Sequence, residues 1–78
     1  MSYEVVLETR SNAEEILSQM NEFINMYGVA TVADLRDLAG FSYKYTDQKY
    51  GWIDIHNAEI KQVKNKYSLV LPKPIPIQ

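Results

Sequence analysis

A capping signal and an apolar stripe at helical spacing run through Ser11-Asn-Ala-Glu-Glu-Ile-Leu-Ser-Gln-Met-Asn-Glu-Phe-Ile-Asn-Met-Tyr27. Ser11 and Glu14 have the spacing of a capping box, which satisfies free backbone N–H groups at the start of a helix. The apolar residues recur at intervals of three and four, which places them on one helical face. They are Ala13, Ile16, Leu17, Met20, Phe23, Ile24 and Tyr27. With Gly28 positioned as a C-cap, the pattern predicts a helix over residues 12–27.

A strand and a second helix are expected on either side of this helix. Residues 3–9 have the β-branched and apolar composition of a strand. Thr31 and Asp34 form another capping-type start and Gly40 ends the segment, which predicts a helix of about three turns with Arg36 on its outer face. We expect the centre of the core to be built from the inner faces of both helices. Its members would be Ile16, Leu17, Met20, Phe23, Ile24, Leu35 and Leu38.

The second half of the chain has the pattern of antiparallel strands. Apolar and β-branched residues favour strands over residues 51–55, 58–63 and 67–71. Residues 64–66 would close a hairpin between the last two strands, and residues 56–57 would form a turn between the first two. The predicted fold class is therefore α+β, with an N-terminal strand, two helices and then a three-stranded antiparallel meander.

The C-terminal residues 72–78, Pro-Lys-Pro-Ile-Pro-Ile-Gln, have the features of an extended segment. Proline stands at every second position as far as residue 76. Because proline lacks an N–H donor and fixes its backbone, we expect a Pro-rich C-terminal arm that leaves a single domain formed by residues 1–71. Ile75 and Ile77 alternate with the prolines and suit burial, either on the same molecule or on a partner. The sequence leaves both alternatives open.

Composition limits the classes to which the protein could belong. The 78 residues include no cysteine, which excludes disulfides and thiolate metal sites. Residues 1–40 carry seven acidic and two basic side chains, whereas residues 41–78 carry three acidic side chains and six lysines. The basic half could meet an acidic partner or phosphate, although a solubilising spread of charge has the same pattern. The absence of a long apolar run and of a signal peptide leads us to expect a soluble intracellular protein without membrane contact.

Side chains suited to catalysis are few. His56 is the only histidine, and a lone histidine among scattered carboxylates is more typical of a surface residue than of a catalytic or metal-binding one. We expect Asp47 to cap a turn and Asp54 to lie at a strand edge. The three glycines lie far apart, so the sequence contains no phosphate-binding loop. The sequence thus predicts no enzyme, no cofactor and no metal site.

The residues Phe41-Ser-Tyr-Lys-Tyr-Thr-Asp-Gln-Lys-Tyr-Gly-Trp52, here called the aromatic segment, hold five of the nine aromatic side chains of the chain. Tyrosine rings among polar residues are typical of recognition surfaces, because they lose little entropy on ordering and can also form hydrogen bonds. We therefore expect an exposed partner-binding surface, here called the contact surface, beside a buried Trp52. It consists of Tyr43, Lys44, Tyr45, Lys49 and Tyr50. The same rings could instead close the open end of a small core.

A DNA-binding alternative arises from residues 29–40, which look like the first half of a helix-turn-helix or winged-helix element. The later hairpin would be the wing, and a recognition helix would have to lie in roughly residues 41–52. That stretch has no apolar repeat at helical spacing and no arginine. A helix with exposed lysines there would favour a winged-helix regulator that binds nucleic acid, whereas a strand or loop would favour a protein partner. A small enzyme or inhibitor acting on a nucleotide is the least favoured class.

Three stretches carry a resemblance to a known family: residues 28–40, the run Tyr45-Thr-Asp-Gln-Lys-Tyr-Gly-Trp52 and the run Tyr67-Ser-Leu-Val-Leu-Pro72. Over about residues 7–76 the chain resembles a family of small uncharacterised proteins of tailed bacteriophages and prophages. The resemblance implies a phage or prophage origin, and a location in the host cytoplasm or in the virion. It brings no catalytic residues with it. We therefore expect a non-enzymatic accessory protein that binds a phage or host protein, with a homo-oligomeric virion component as one form of this.

Overall fold

The computed structural model describes residues 1–77 and consists of two antiparallel sheets and two α-helices, with one short 3-10 helix after the second α-helix in the chain. In chain order the elements are β1 (Ser2–Leu7), α1 (Arg10–Tyr27), β2 (Ala30–Thr31), α2 (Val32–Leu38), the 3-10 helix (Tyr45–Gln48), β3 (Tyr50–Trp52), β4 (Glu59–Val63), β5 (Lys66–Pro72) and β6 (Ile75–Pro76). A strand, two helices and then antiparallel strands confirm the predicted α+β fold class.

The first sheet has the strand order β1-β5-β4, and its neighbouring strands are antiparallel. β1 pairs with β5 along its whole length. β4 and β5 form the predicted hairpin, in which Val63 lies opposite Lys66 and the turn consists of Lys64 and Asn65. Lys64 has a φ of 59°, because tight hairpin turns require a left-handed residue.

β3 does not extend this sheet, and here the strand pairing differs from the predicted meander. β3 pairs with β2 on one side and with β6 on the other, which gives a second antiparallel sheet of order β2-β3-β6. The chain leaves the strand after Trp52 because the next residues fold into turns. Oδ1 of Asp54 accepts the backbone N–H of His56 at 3.0 Å, and the carbonyl of Ile55 accepts the N–H of Ala58 at 3.0 Å. The turn predicted at residues 56–57 lies within this loop, which connects β3 to β4.

α1 begins at Arg10, two residues earlier than the sequence predicts. The N-cap is Thr9, whose Oγ1 accepts the backbone N–H of Asn12 at 3.0 Å. Ser11 lies inside the first turn, so the capping box predicted for Ser11 and Glu14 is wrong. The other end agrees with the prediction, since Gly28 has a φ of 84° and donates its N–H to the last turn.

This difference can be tested by substituting the two candidate caps. Thr9→Ala should lower the free energy of unfolding by about 1 kcal/mol, because the N–H of Asn12 then loses its acceptor. Ser11→Ala is the matched control and should change it by less than about 0.5 kcal/mol, since the exposed Ser11 occupies a helical position where Ala is favoured. Urea denaturation measures both values. A larger loss for Ser11→Ala than for Thr9→Ala would place the start of the helix at Ser11.

α2 has the predicted signals at both ends but is shorter than expected. Oγ1 of Thr31 accepts the N–H of Asp34 and Oδ2 of Asp34 accepts the N–H of Thr31, both at 2.9 Å, which completes the capping box. At the C-terminus Gly40 has a φ of 82°, which allows the N–H of Phe41 to reach the carbonyl of Arg36 at 2.8 Å. The seven residues of the helix make about two turns.

The hydrophobic core lies between the helices and the first sheet, and its centre is only partly the one predicted. The most deeply buried large side chains are Met20 and Leu35 from the helices and Leu69 and Leu71 from β5. Ile16 is buried as well. Four residues predicted for the centre lie at the margin and are only partly buried: Leu17, Phe23, Ile24 and Leu38. The apolar stripe of α1 is wider than the surface that a two-turn helix and one sheet can cover.

The Pro-rich arm folds back onto the rest of the chain over the residues that the structure describes. Pro72 still belongs to β5, and residues 75–76 form β6 against β3. The backbone N–H of Ile77 also donates to the carbonyl of Lys49 at 3.0 Å. This part of the arm therefore packs on its own molecule, whereas Gln78 lies outside the described residues.

Candidate functional site

The aromatic segment connects α2 to β3 and contains no α-helix. Residues 41–44 are irregular and residues 45–48 form the 3-10 helix. Asp47 stabilises the start of this turn, because its Oδ2 accepts the backbone N–H of Lys44 at 2.9 Å, as expected of a turn-capping aspartate. A winged-helix protein requires a recognition helix at this place, so the structure gives that alternative no support.

All five residues of the contact surface are exposed to solvent. The exposed fraction is 45% for Tyr43, 71% for Tyr45 and 45% for Tyr50, and both lysines of the surface are exposed as well. Trp52, at the end of the same segment, is 2% exposed. The expected contrast between surface tyrosines and a buried tryptophan is therefore present, and the tyrosine rings do not close the core.

Trp52 anchors the aromatic segment to both sheets. Its indole Nε1 donates a hydrogen bond to the backbone carbonyl of Pro72 at 2.6 Å. Its ring meets the ring of Tyr3 edge to face, with 5.8 Å between the centroids. Because Trp52 lies in β3 while Pro72 and Tyr3 lie in β5 and β1, these contacts fix the end of the segment relative to the first sheet.

Cations contact aromatic rings on this side of the molecule. Nζ of Lys49 lies 5.0 Å from the centroid of the Tyr45 ring. The guanidinium carbon of Arg36 lies 5.4 Å from the centroid of the Phe41 ring. Such cation–π contacts are worth roughly 0.5–1 kcal/mol at exposed sites, and they hold each pair of side chains together at the surface.

A pocket of about 350 Å³ opens next to Tyr43. Its walls are contributed by β1, by α2 and by the aromatic segment. The lining residues are Tyr3, Arg36, Ser42, Tyr43, Lys44 and Asp47. Arg36 joins these elements, because its Nε donates to the carbonyl of Ser42 at 2.6 Å and its Nη1 donates to the hydroxyl of Tyr3 at 3.4 Å.

Sequence reasoning missed Arg36 as a candidate residue. Its position on the outer face of α2 was foreseen, but that face is typical of solvated charges. The reversal of the chain at Gly40 brings Ser42 back to Arg36, and this part could have been inferred from the C-cap signal. No signal in the sequence indicates that Tyr3 of β1 completes the pocket.

His56 and Asp54 lie together in the loop after β3. Nδ1 of His56 is 2.8 Å from Oδ1 of Asp54, and both side chains are largely exposed. The pKa of Asp54 is lowered, first by the hydrogen bond from the backbone N–H of His56 and then by the bond with the imidazole. Asp54 thus caps a turn, and its predicted position at a strand edge is wrong. Across residues 1–77 no group of three or more His, Asp and Glu side chains could hold a metal ion.

In the described part of the chain, neither helix has the length and apolar character needed to cross a membrane. Comparisons of the chain with known protein families, with curated proteins and with solved structures found no match. The function is therefore inferred from the chemistry of the surface itself.

Proposed function

We propose that this chain is a small, non-enzymatic accessory protein of a phage or prophage that binds another protein through the contact surface. The partner belongs to the virion or to the host. The observation that supports the binding role is the exposure of Tyr43, Tyr45 and Tyr50 on a segment whose Trp52 is buried. The phage or prophage origin rests on the resemblance of about residues 7–76 to the phage family.

The exposed tyrosines need an explanation, because a chain with so small a core would gain stability from burying them. Tyrosine is enriched at protein interfaces, since its ring offers a large contact area and its hydroxyl group a hydrogen bond. The segment is also held at both ends, by the cap of α2 and by β3. A surface that is already ordered loses less entropy when it binds, which favours affinity.

The run Tyr45-Thr-Asp-Gln-Lys-Tyr-Gly-Trp52 separates into structural and exposed residues. Asp47 caps the 3-10 helix, Gly51 has no room for a side chain, and Trp52 is buried. Tyr45 and Tyr50 lack a comparable structural role. Because this run is the most specific part of the resemblance to the phage family, its two exposed rings support a binding role shared with that family.

Removing two rings of the contact surface tests the proposal. Tyr43→Ser combined with Tyr45→Ser should change the free energy of unfolding by no more than about 1 kcal/mol, because both residues are exposed. The double variant should nevertheless lose its partner, since interface tyrosines carry much of the binding energy. Affinity capture from the infected host, followed by mass spectrometry, compares the parent with the variant. Tyr27→Ser is the matched control, because Tyr27 at the end of α1 is exposed to about the same extent as Tyr45, at 69% against 71%.

Two results would contradict the proposal. A double variant that folds and still captures every partner of the parent would place the contact surface elsewhere. Loss of the same partner in the Tyr27→Ser control would show that capture depends on exposed rings in general and not on this segment.

A further inference from the structure

We propose that the pocket beside Arg36 binds a carboxylate, so that the protein partner presents an aspartate or glutamate side chain to it. This inference rests on the proposed function, because it names the chemistry of the partner at the contact surface. Arg36 would hold the carboxylate, and Lys44 and Tyr43 would flank it.

Arg36 is a half-buried cation without an acidic partner. Two lysines, Lys61 and Lys66, form ion pairs with glutamates, but no carboxylate of residues 1–77 pairs with Arg36. A guanidinium has five N–H donors, and the structure uses one on Ser42 and one on Tyr3. The remaining donors are available to a ligand in the pocket that Arg36 lines.

The side chain of Arg36 is also held in place before any ligand arrives. Its Nε is fixed by the carbonyl of Ser42 at 2.6 Å, and the ring of Phe41 lies against the guanidinium. A fixed, planar fork of donors matches the two oxygens of a carboxylate and forms charge-assisted hydrogen bonds with them. Little side-chain entropy is then lost on binding.

The charges around the pocket favour a carboxylate over the phosphates of a nucleic acid. Arg36 and Lys44 contribute two positive charges to the lining, and Asp47 contributes one negative charge. A single net positive charge suits one carboxylate, whereas nucleic acids are bound by rows of cations along the phosphate backbone. The whole chain carries a net charge of −2, which also disfavours binding to a polyanion.

An NMR titration with a hexaglutamate peptide, blocked at both ends, tests the inference. We expect saturable chemical-shift changes at Nε of Arg36 and at the amides of residues 42–47. The matched hexaglutamine peptide should cause none of them, because it has the same length but no carboxylate. An oligothymidylate of equal length serves as the phosphate-bearing probe.

Substitutions identify the residues responsible. Arg36→Gln should weaken binding of the glutamate peptide by about tenfold or more. Arg36→Lys should weaken this binding as well, because lysine lacks the planar fork of donors. Arg10→Gln is the control and should bind as the parent does, since Arg10 lies outside the pocket, over the ring of Tyr67. Lys44→Gln removes a charge from the lining without touching the Ser42 contact. Lys44→Gln should weaken binding of the glutamate peptide several-fold. This variant therefore tests the inference even if the Arg36 variants do not fold.

The results separate this inference from the function on which it rests. Equal binding of the glutamate peptide by the parent and by folded Lys44→Gln or Arg36→Gln would overturn it, as would tighter binding of the oligothymidylate at the same residues. If capture depends on the tyrosines but the glutamate peptide does not bind, the proposed function stands and this inference fails. If the peptide binds through Arg36 but capture ignores the tyrosines, carboxylate binding stands and the proposed function fails.

Discussion

Met20→Ala should lower the free energy of unfolding by about 2–5 kcal/mol. Met20 is 0% exposed and lies at the centre of the core with Leu35, Leu69 and Leu71. Shortening the Met20 side chain removes apolar contacts in this core and leaves a cavity that the surrounding residues cannot fill. In a small domain such a loss is a large share of the total stability, so the variant should unfold at much lower urea concentration.

Met26→Ala is the control for this effect, because it deletes the same atoms from the same helix. Met26 is 68% exposed, and its substitution should change the free energy of unfolding by less than about 0.5 kcal/mol. Urea denaturation of both variants measures the difference. Equal losses would mean that α1 presents another face to the sheet than the structure assigns.

The local features of the fold could be predicted because their signals lie within a few residues. The buried face of α1 follows from its apolar repeat, and the cap of α2 follows from Thr31 and Asp34. The choice between Thr9 and Ser11 could not be made in the same way. Both are hydroxyl residues two positions apart at the start of the same repeat, and a cap shifted by two residues leaves the apolar face unchanged.

The pairing of the strands could not be read from the sequence for a different reason. An alternating pattern indicates a strand but does not indicate which strand it pairs with. β1 pairs with β5, which lies near the other end of the chain. β2 and β6 contain two residues each, which is too short for any periodic pattern. Without them β3 had no visible partner except β4, and the predicted meander followed.

The candidate site likewise combines a local feature, which the sequence predicts, with a tertiary feature, which it does not. The exposure of Tyr43 and Tyr45 was expected, because the alternation of rings with polar residues is a local feature. The pocket was not expected, since Arg36 and Tyr3 are 33 positions apart and only the tertiary fold brings them together. Sequence patterns therefore indicated the exposed rings of the proposed contact surface, whereas the position of the Arg36 cation beside them depends on the tertiary fold.

Gly51→Ala should be as disruptive as a deletion in the core, although it adds only a methyl group. A Cβ atom at Gly51 would lie 2.2 Å from the carbonyl oxygen of Ala30 and 2.7 Å from Cα of Thr31. Both are backbone atoms of β2, so they can move only if β2 separates from β3. Overpacking of this kind costs roughly 1–3 kcal/mol or more, and we expect the upper part of that range because no side chain can give way. The clash with Cδ1 of Ile77 at 2.6 Å is milder, since that side chain can rotate.

Gly40→Ala separates this steric effect from the conformational one. No atom lies within 4 Å of a Cβ built at Gly40, but its φ of 82° is strained for alanine, which costs about 1 kcal/mol. Gly51 has the opposite combination, an ordinary φ and no space, so urea denaturation should show the larger loss for Gly51→Ala. Because β3 also holds the end of the aromatic segment, partner capture should fall with it, whereas Gly40→Ala should remain folded. If Gly51→Ala lowers the free energy of unfolding no more than Gly40→Ala does, β2 and β3 are not in the close contact that the structure assigns. The β2–β3 pairing would then not hold the end of the aromatic segment in place.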